Sequence, residues 1–299
     1  MIGGNTLIKN KPLELFSLIL LSLFPLAIIA GNFLINIFIF LFTISFFINF
    51  KENKILIKDK IFYLIIFFLI SLILNVIFST NPLNSIPRII KMVLIIFFIF
   101  EIKRLIQNYE KNYMRNVFLT WFIIFIIVTF DVFFELTFSY NIIGKQSYMP
   151  GRIASFFGDE LVVGAFYHGF VLFFLSYLFV RKSKNYILFI SIICILFCSF
   201  FIGERSNFIK SFLSIIIFTL LVVKTDYKIK ISGILILLTV MITLINFNQS
   251  YKSRYFYQIK TLFSINGYSK FIKQSQYGAH RNAAMKIFRE NLIFGVGIK

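Results

Sequence analysis

What this chain lacks is polar surface. Only 14% of its 299 residues are charged, while 59% are hydrophobic and 19% aromatic, at a mean hydropathy of +0.87. A water-soluble domain with so little polar surface could not cover its own core, which excludes that class. The polar-in, apolar-out alternation of a membrane β-barrel is missing as well. With two Cys and two His in the chain, no cluster offers a metal or redox centre, so no cofactor is expected. Cys194 and Cys198 stand one helical turn apart in an apolar run and read as small packing residues. A Walker A loop, a G-x-S-x-G elbow and a D-x-D metal-diphosphate motif are all absent. The first apolar run lacks a small-residue cleavage site and passes directly into a second, so no cleavable signal peptide is read there.

What the chain has is a series of apolar runs near twenty residues, the length that crosses a bilayer. Nine spans are expected, at 13–30, 32–50, 61–79, 86–100, 117–135, 160–180, 187–201, 207–223 and 231–247. The predicted fold is an all-α polytopic membrane protein. Residues 1–247 form its bundle, and 248–299 begin an extracytoplasmic loop.

A net charge of +19 raises the question of nucleic acid, and its distribution answers it. With a cytoplasmic N-terminus, the segments 1–12, 51–60, 101–116, 181–186 and 224–230 carry sixteen Lys or Arg. The opposite short loops (31–32, 80–88, 136–155 and 202–206) carry four. That asymmetry is the positive-inside pattern. The basic charge therefore reads as topology and contact with anionic lipid, with no nucleic-acid motif beside it.

Against this pattern, the polar island Glu204-Arg205-Ser206-Asn207 puts an arginine in an outward turn that does not need one. A snorkelling side chain or a partner for Glu204 would explain it blandly. Other outward polar residues are Arg152, Asp159, Glu160 and His168, at or just inside the mouth of the sixth run. Asp159 and Glu160, as neighbours, point about 100° apart on a helix, so they are not a geometric acid–base pair. They also suit a helix N-terminus for its dipole. His168 reads more readily as a satisfied interhelical contact than as a catalytic group. Asp131 and Glu135, one turn apart, are placed to pair with the outward arginines, and ionisable residues inside a membrane are functional suspects.

The tail 248–299 carries nine Lys or Arg against one acid, Glu290, with aromatics interleaved. It suits a segment lying along the headgroup region. An amphipathic helix is predicted over 280–293. On it, Arg281, Ala284, Met285, Phe288 and Leu292 share a sector of about 100°. Arg281 thus points with the apolar stripe, and a buried arginine is costly unless an anion meets it.

Three stretches resemble one family. "IGERSNFIKSFL" (202–213) resembles the outer-loop motif of O-antigen ligases and O-antigen polymerases, a short turn with an S/G-x-R-[SG] core. "HRNAAMKIFRENLIFGVGIK" (280–299) resembles the family's Arg-led helix ending in a G-[VIL]-G turn. "GRIASFFGDELVVGAF" (151–166) is similar to its G-x-F-x-[DN]-[PE] stretch at the mouth of a mid-chain span.

The resemblance implies a GT-C-like bundle and an inverting, metal-independent glycosyltransferase on the periplasmic face of the bacterial inner membrane. Its donor would be a glycan on undecaprenyl diphosphate, and its acceptor another glycan or lipid A-core sugars. By carry-over, Arg205 and Arg281 would hold the donor diphosphate, with Arg152, Asp159, Glu160, Ser206 and His280 as substrate-binding residues. Family members continue past the glycine turn to a histidine motif and further spans. The chain is therefore expected to be a truncated, inactive fragment, and His280, which precedes the helix, does not replace that histidine. A lipid-linked glycan flippase or other polysaccharide transporter is the alternative, and a structural membrane subunit a third reading. No inverted repeat or pair of broken helices favours transport.

Overall fold

The computed structural model describes residues 11–50, 60–79, 82–108, 111–149, 151–160, 162–223, 226–247, 252, 260, 263–264 and 267–292. Among them there is no strand. The helices are α1 (Lys11–Ala30), α2 (Asn32–Ile48), α3 (Lys60–Ile77), α4 (Pro82–Asn108), α5 (Lys111–Phe138), α6 (Val163–Val180), α7 (Asn185–Phe201), α8 (Arg205–Leu221) and α9 (Tyr227–Phe247). Beyond these lie α10 (Gly267–Gln274) and α11 (Gln276–Glu290), and a short 3-10 helix, Ser155–Glu160, precedes α6.

A helix overlies each of the nine apolar runs, but only four described helices are long and apolar enough to cross a membrane. They are Pro12–Ala30, Lys60–Ile77, Tyr113–Phe138 and Val163–Val180. Nine spans is thus corrected to four by length and composition. Length is part of the reason: α2, α7 and α8 have 17 residues each. At 1.5 Å per residue they rise about 25 Å, short of a hydrocarbon core of about 30 Å. Helix α4 carries Arg88, Lys91, Glu101, Lys103 and Arg104, and α9 has Lys228 and Lys230 in its first turn.

Two boundaries moved for identifiable reasons. The sixth run was expected to be helical from 160, yet α6 starts at Val163. The preceding 3-10 turn breaks at Gly158, whose φ of 60° and ψ of −133° no helix accommodates. The fourth run was expected to end at 100, but α4 continues to Asn108. Its supposed loop charges, Glu101 and Arg104, are buried.

The chain divides into two compact units. The first comprises 1–27, 32–117 and 269–299. Here α4 packs on α2 and α3, with Phe46 and Phe100 buried against Phe62, Ile65, Ile96 and Phe97. Beside this aromatic cluster lies an ionic one. Arg104 donates from Nε and Nη2 to Glu101 Oε2 and Oε1 at 3.0 and 2.7 Å. Ser45 Oγ donates to Glu101 Oε1 at 2.6 Å and shares a 2.8 Å bond with Ser17 Oγ. Glu14 adds a carboxylate 3.8 Å from Arg104 Nη1. Glu101 and Arg104 are 0% and 2% exposed, so an unmatched charge here would be expensive and each is matched. These contacts tie α1, α2 and α4 together where lipid-like packing alone offers little direction.

The second unit comprises 28–31 and 118–268. In it α6 packs on α7 and α8, α7 on α8, and α8 on α9. Its core runs from Ile124 to Phe218 and is rich in rings, with Phe122 and Phe174 stacked at 4.6 Å and Trp121 edge-on to Phe170 at 5.4 Å. Tyr167 is wholly buried, and its hydroxyl lies 2.6 Å from Thr129 Oγ1 in hydrogen-bond contact. Cys198 is buried in the same core and Cys194 half-buried, both free thiols, as packing residues would be.

Helix α11 forms where a helix was expected, starting four residues earlier, with Ser275 Oγ accepting from Gly278 N at 3.0 Å as its N-cap. Its apolar stripe is not buried: Met285, Phe288 and Leu292 are exposed, Phe288 at 57%. Arg281 is exposed with them, which corrects the expectation of a buried arginine face. Most of the aromatic–basic stretch 248–266 and the glycine turn at 293–299 lie outside the described residues.

Candidate functional site

The second unit gathers its polar groups at the end where α5 and α7 finish and α6 and α8 begin. Asp131 and Glu135 sit one turn apart on α5, hence on one face. Both are buried, and neither is spent on an arginine. Asp131 accepts from Ile142 N at 2.8 Å through Oδ1 and from Ser155 Oγ at 2.6 Å through Oδ2. Glu135 accepts from Ala154 N at 3.1 Å and Ser155 N at 2.6 Å. The two carboxylates satisfy backbone donors that would otherwise be buried without partners. Ser155, held at φ 50°, is the residue they converge on. Asn141 adds to the clamp, donating to Ser155 O at 2.7 Å and accepting from Lys145 N at 2.8 Å. The expected pairing of Asp131 and Glu135 with outward arginines is therefore replaced by a fixed connection from α5 to the 3-10 turn.

That connection carries Arg152, whose neighbour Ile153 donates its N–H to Ile202 O at 3.3 Å, beside the α7–α8 turn. In this turn Glu204 supplies the central contact. Its Oε1 accepts from Gly164 N at 3.0 Å, and its Oε2 accepts from Asn207 Nδ2 at 2.6 Å. Arg152 Nη2 lies 3.5 Å from Oε1. The N-cap of α6, Val162, has no capping side chain, so the carboxylate from forty residues away serves the orphan N–H and the positive end of that helix. The approach is possible because residue 164 is glycine: a Cβ there would stand 2.7 Å from Glu204 Cδ.

Arg205 is the first residue of α8 and half-buried, with Ser206 exposed beside it. Arg152 and Arg205 thus adjoin the same carboxylate, one in space and the other in sequence. Both Glu204 oxygens accept hydrogen bonds, so its role is to position rather than to act as a free base. Of the remaining expected residues, Asp159 and Glu160 close the 3-10 turn, and their side chains lie outside the described residues. His280 and Arg281 are exposed on α11 in the other unit. His168, expected to be satisfied, has a buried Nδ1 with no hydrogen-bond partner among the described residues, as does Ser211 Oγ. No group of three His, Cys, Asp or Glu able to hold a metal occurs among the described residues.

Sequence reasoning singled out Arg152, Asp131, Glu135 and Glu204 but missed what joins them, namely Ser155, Asn141 and Gly164. A glycine at the second position of a helix was the one available signal for the last. No protein-family model, characterised protein or solved structure matches this chain.

Proposed function

We propose that this chain is a membrane glycosyltransferase of the O-antigen ligase or polymerase type. It takes its glycan from an undecaprenyl-diphosphate donor on the periplasmic face of a bacterial inner membrane, within a GT-C-like helical bundle. The observation that carries the reading is the α7–α8 turn. Glu204 is committed to the start of α6, and this anchoring sets Arg205 at the first position of α8. A guanidinium keeps its charge and binds phosphate oxygens in pairs. The start of a helix adds N–H donors and partial positive charge for the same anion. Arg152, held within reach of Glu204, brings a second guanidinium to this end, and Arg281 is the third candidate.

In the reaction, the acceptor hydroxyl oxygen bonds to the anomeric carbon as that carbon's bond to the diphosphate oxygen breaks, and the hydroxyl proton passes to solvent water. The arginines stabilise the charge that grows on the leaving diphosphate. Arg205→Ala and Arg281→Ala, introduced into the gene in its own cells, test the assignment. Loss of glycan transfer with donor translocation intact supports it. Loss of translocation points to a transporter, and unchanged transfer with both variants rejects the enzyme.

A further inference from the structure

The opposite end of the second unit holds a recess that the glycosyltransferase reading does not use. It is a cavity of about 270 Å³ between α7, α8 and α9, walled by Leu188, Ile192, Leu196, Ile215 and Ile234. A second recess of about 560 Å³ shares Asn185, Leu188 and Val223 with it and reaches Lys182. Its floor is apolar and its mouth is basic. Lys230 lines the first cavity and donates from Nζ to Leu220 O at 2.9 Å, which engages one of its three N–H donors. Around the same end stand Arg181, Lys182 and Lys184 from the α6–α7 turn, and Lys228 from the start of α9, all exposed. Across 181–186 and 226–230 the one acid is Asp226.

An apolar slot between helices accepts any lipid chain, and the charge at its mouth discriminates among headgroups. We propose that this recess is a site for one anionic glycerophospholipid, with an acyl chain between α7, α8 and α9 and its phosphate against Lys230 and Lys182. The charge complementarity is five cations to one carboxylate, on the end of the bundle opposite the Glu204 turn. A zwitterionic lipid would bring its own cation to a mouth that already has five.

The test is native mass spectrometry of the purified 299-residue chain, released from nanodiscs holding equal phosphatidylglycerol and phosphatidylcholine. Wild type is expected to retain one phosphatidylglycerol in preference. Lys230→Gln keeps an N–H for Leu220 O but removes the charge, and should cut that preference about fivefold. Lys230→Arg should preserve it, and Ile234→Phe, which fills the slot, should lower retention of both lipids. If Lys230→Gln disturbs folding, Lys182→Gln on the exposed turn must move the preference the same way. Equal retention of the two lipids by wild type, or preference unchanged in both glutamine variants, overturns the proposal.

Discussion

Replacing Gly164 by alanine should uncouple the α7–α8 turn from α6. The added methyl would lie 2.7 Å from Glu204 Cδ, 2.8 Å from Oε2 and 2.9 Å from Cβ. Swinging the carboxylate away relieves the first two contacts but not the third, so the turn itself must move. The bond from Gly164 N to Oε1, 3.0 Å in the native protein, is then lost. A hydrogen bond to a charged group is worth about 1.5–3 kcal/mol net, and an anion at a helix N-terminus about 0.3–1 kcal/mol more. Alanine returns up to about 1 kcal/mol in helix propensity, leaving a loss of about 2 kcal/mol. Thermal unfolding in detergent should show a midpoint lower by on the order of 5 °C. The decisive comparison is a double-mutant cycle with Glu204→Gly, in which Gly164→Ala should cost almost nothing once the carboxylate and its Cβ are gone. An equal cost in both backgrounds would place the strain elsewhere and refute the reasoning.

Three further outcomes follow from the same geometry. Glu101→Gln or Arg104→Met alone should destabilise by about 3–5 kcal/mol, because the first takes from buried Arg104 its nearest carboxylate and the second leaves buried Glu101 without its guanidinium. Replacing both by Met should recover most of that loss in the same melt. Glu135→Gln turns an N–H donor toward the amides of Ala154 and Ser155, at a cost of about 2 kcal/mol, and should speed limited proteolysis within 141–155. Cys198, buried in the core, should resist maleimide in the native protein and react once it is unfolded, with half-buried Cys194 reacting sooner.

The positions of the helices were legible because each apolar run is long enough to need internal satisfaction of its backbone. The limits of that reading show at α4. Glu101 and Arg104, with Lys103 between them, look like the charged start of a loop, and only the partners Glu14, Ser17 and Ser45 reveal a buried cluster. No local pattern encodes those partners, since they come from two other helices. Asp131 and Glu135 were legible as important from their spacing, but their targets are main-chain amides, which carry no residue-type signal. Arg152 and Glu204 were each noticed, yet their meeting depends on Gly164 having no side chain. The stripe on α11 was legible as a periodic pattern, but periodicity names a face without naming what covers it. That is why Arg281 was expected to be buried and is exposed.

The central claim is that the turn built on Glu204 presents Arg205 to a lipid diphosphate. Its most direct test is the affinity of the purified chain for undecaprenyl diphosphate against undecaprenyl monophosphate, in wild type and Arg205→Ala. The account predicts tighter binding of the diphosphate by wild type and a loss of about tenfold or more in the variant, with the monophosphate little changed. Equal affinity for the two lipids, or a variant that binds the diphosphate as wild type does, would contradict it.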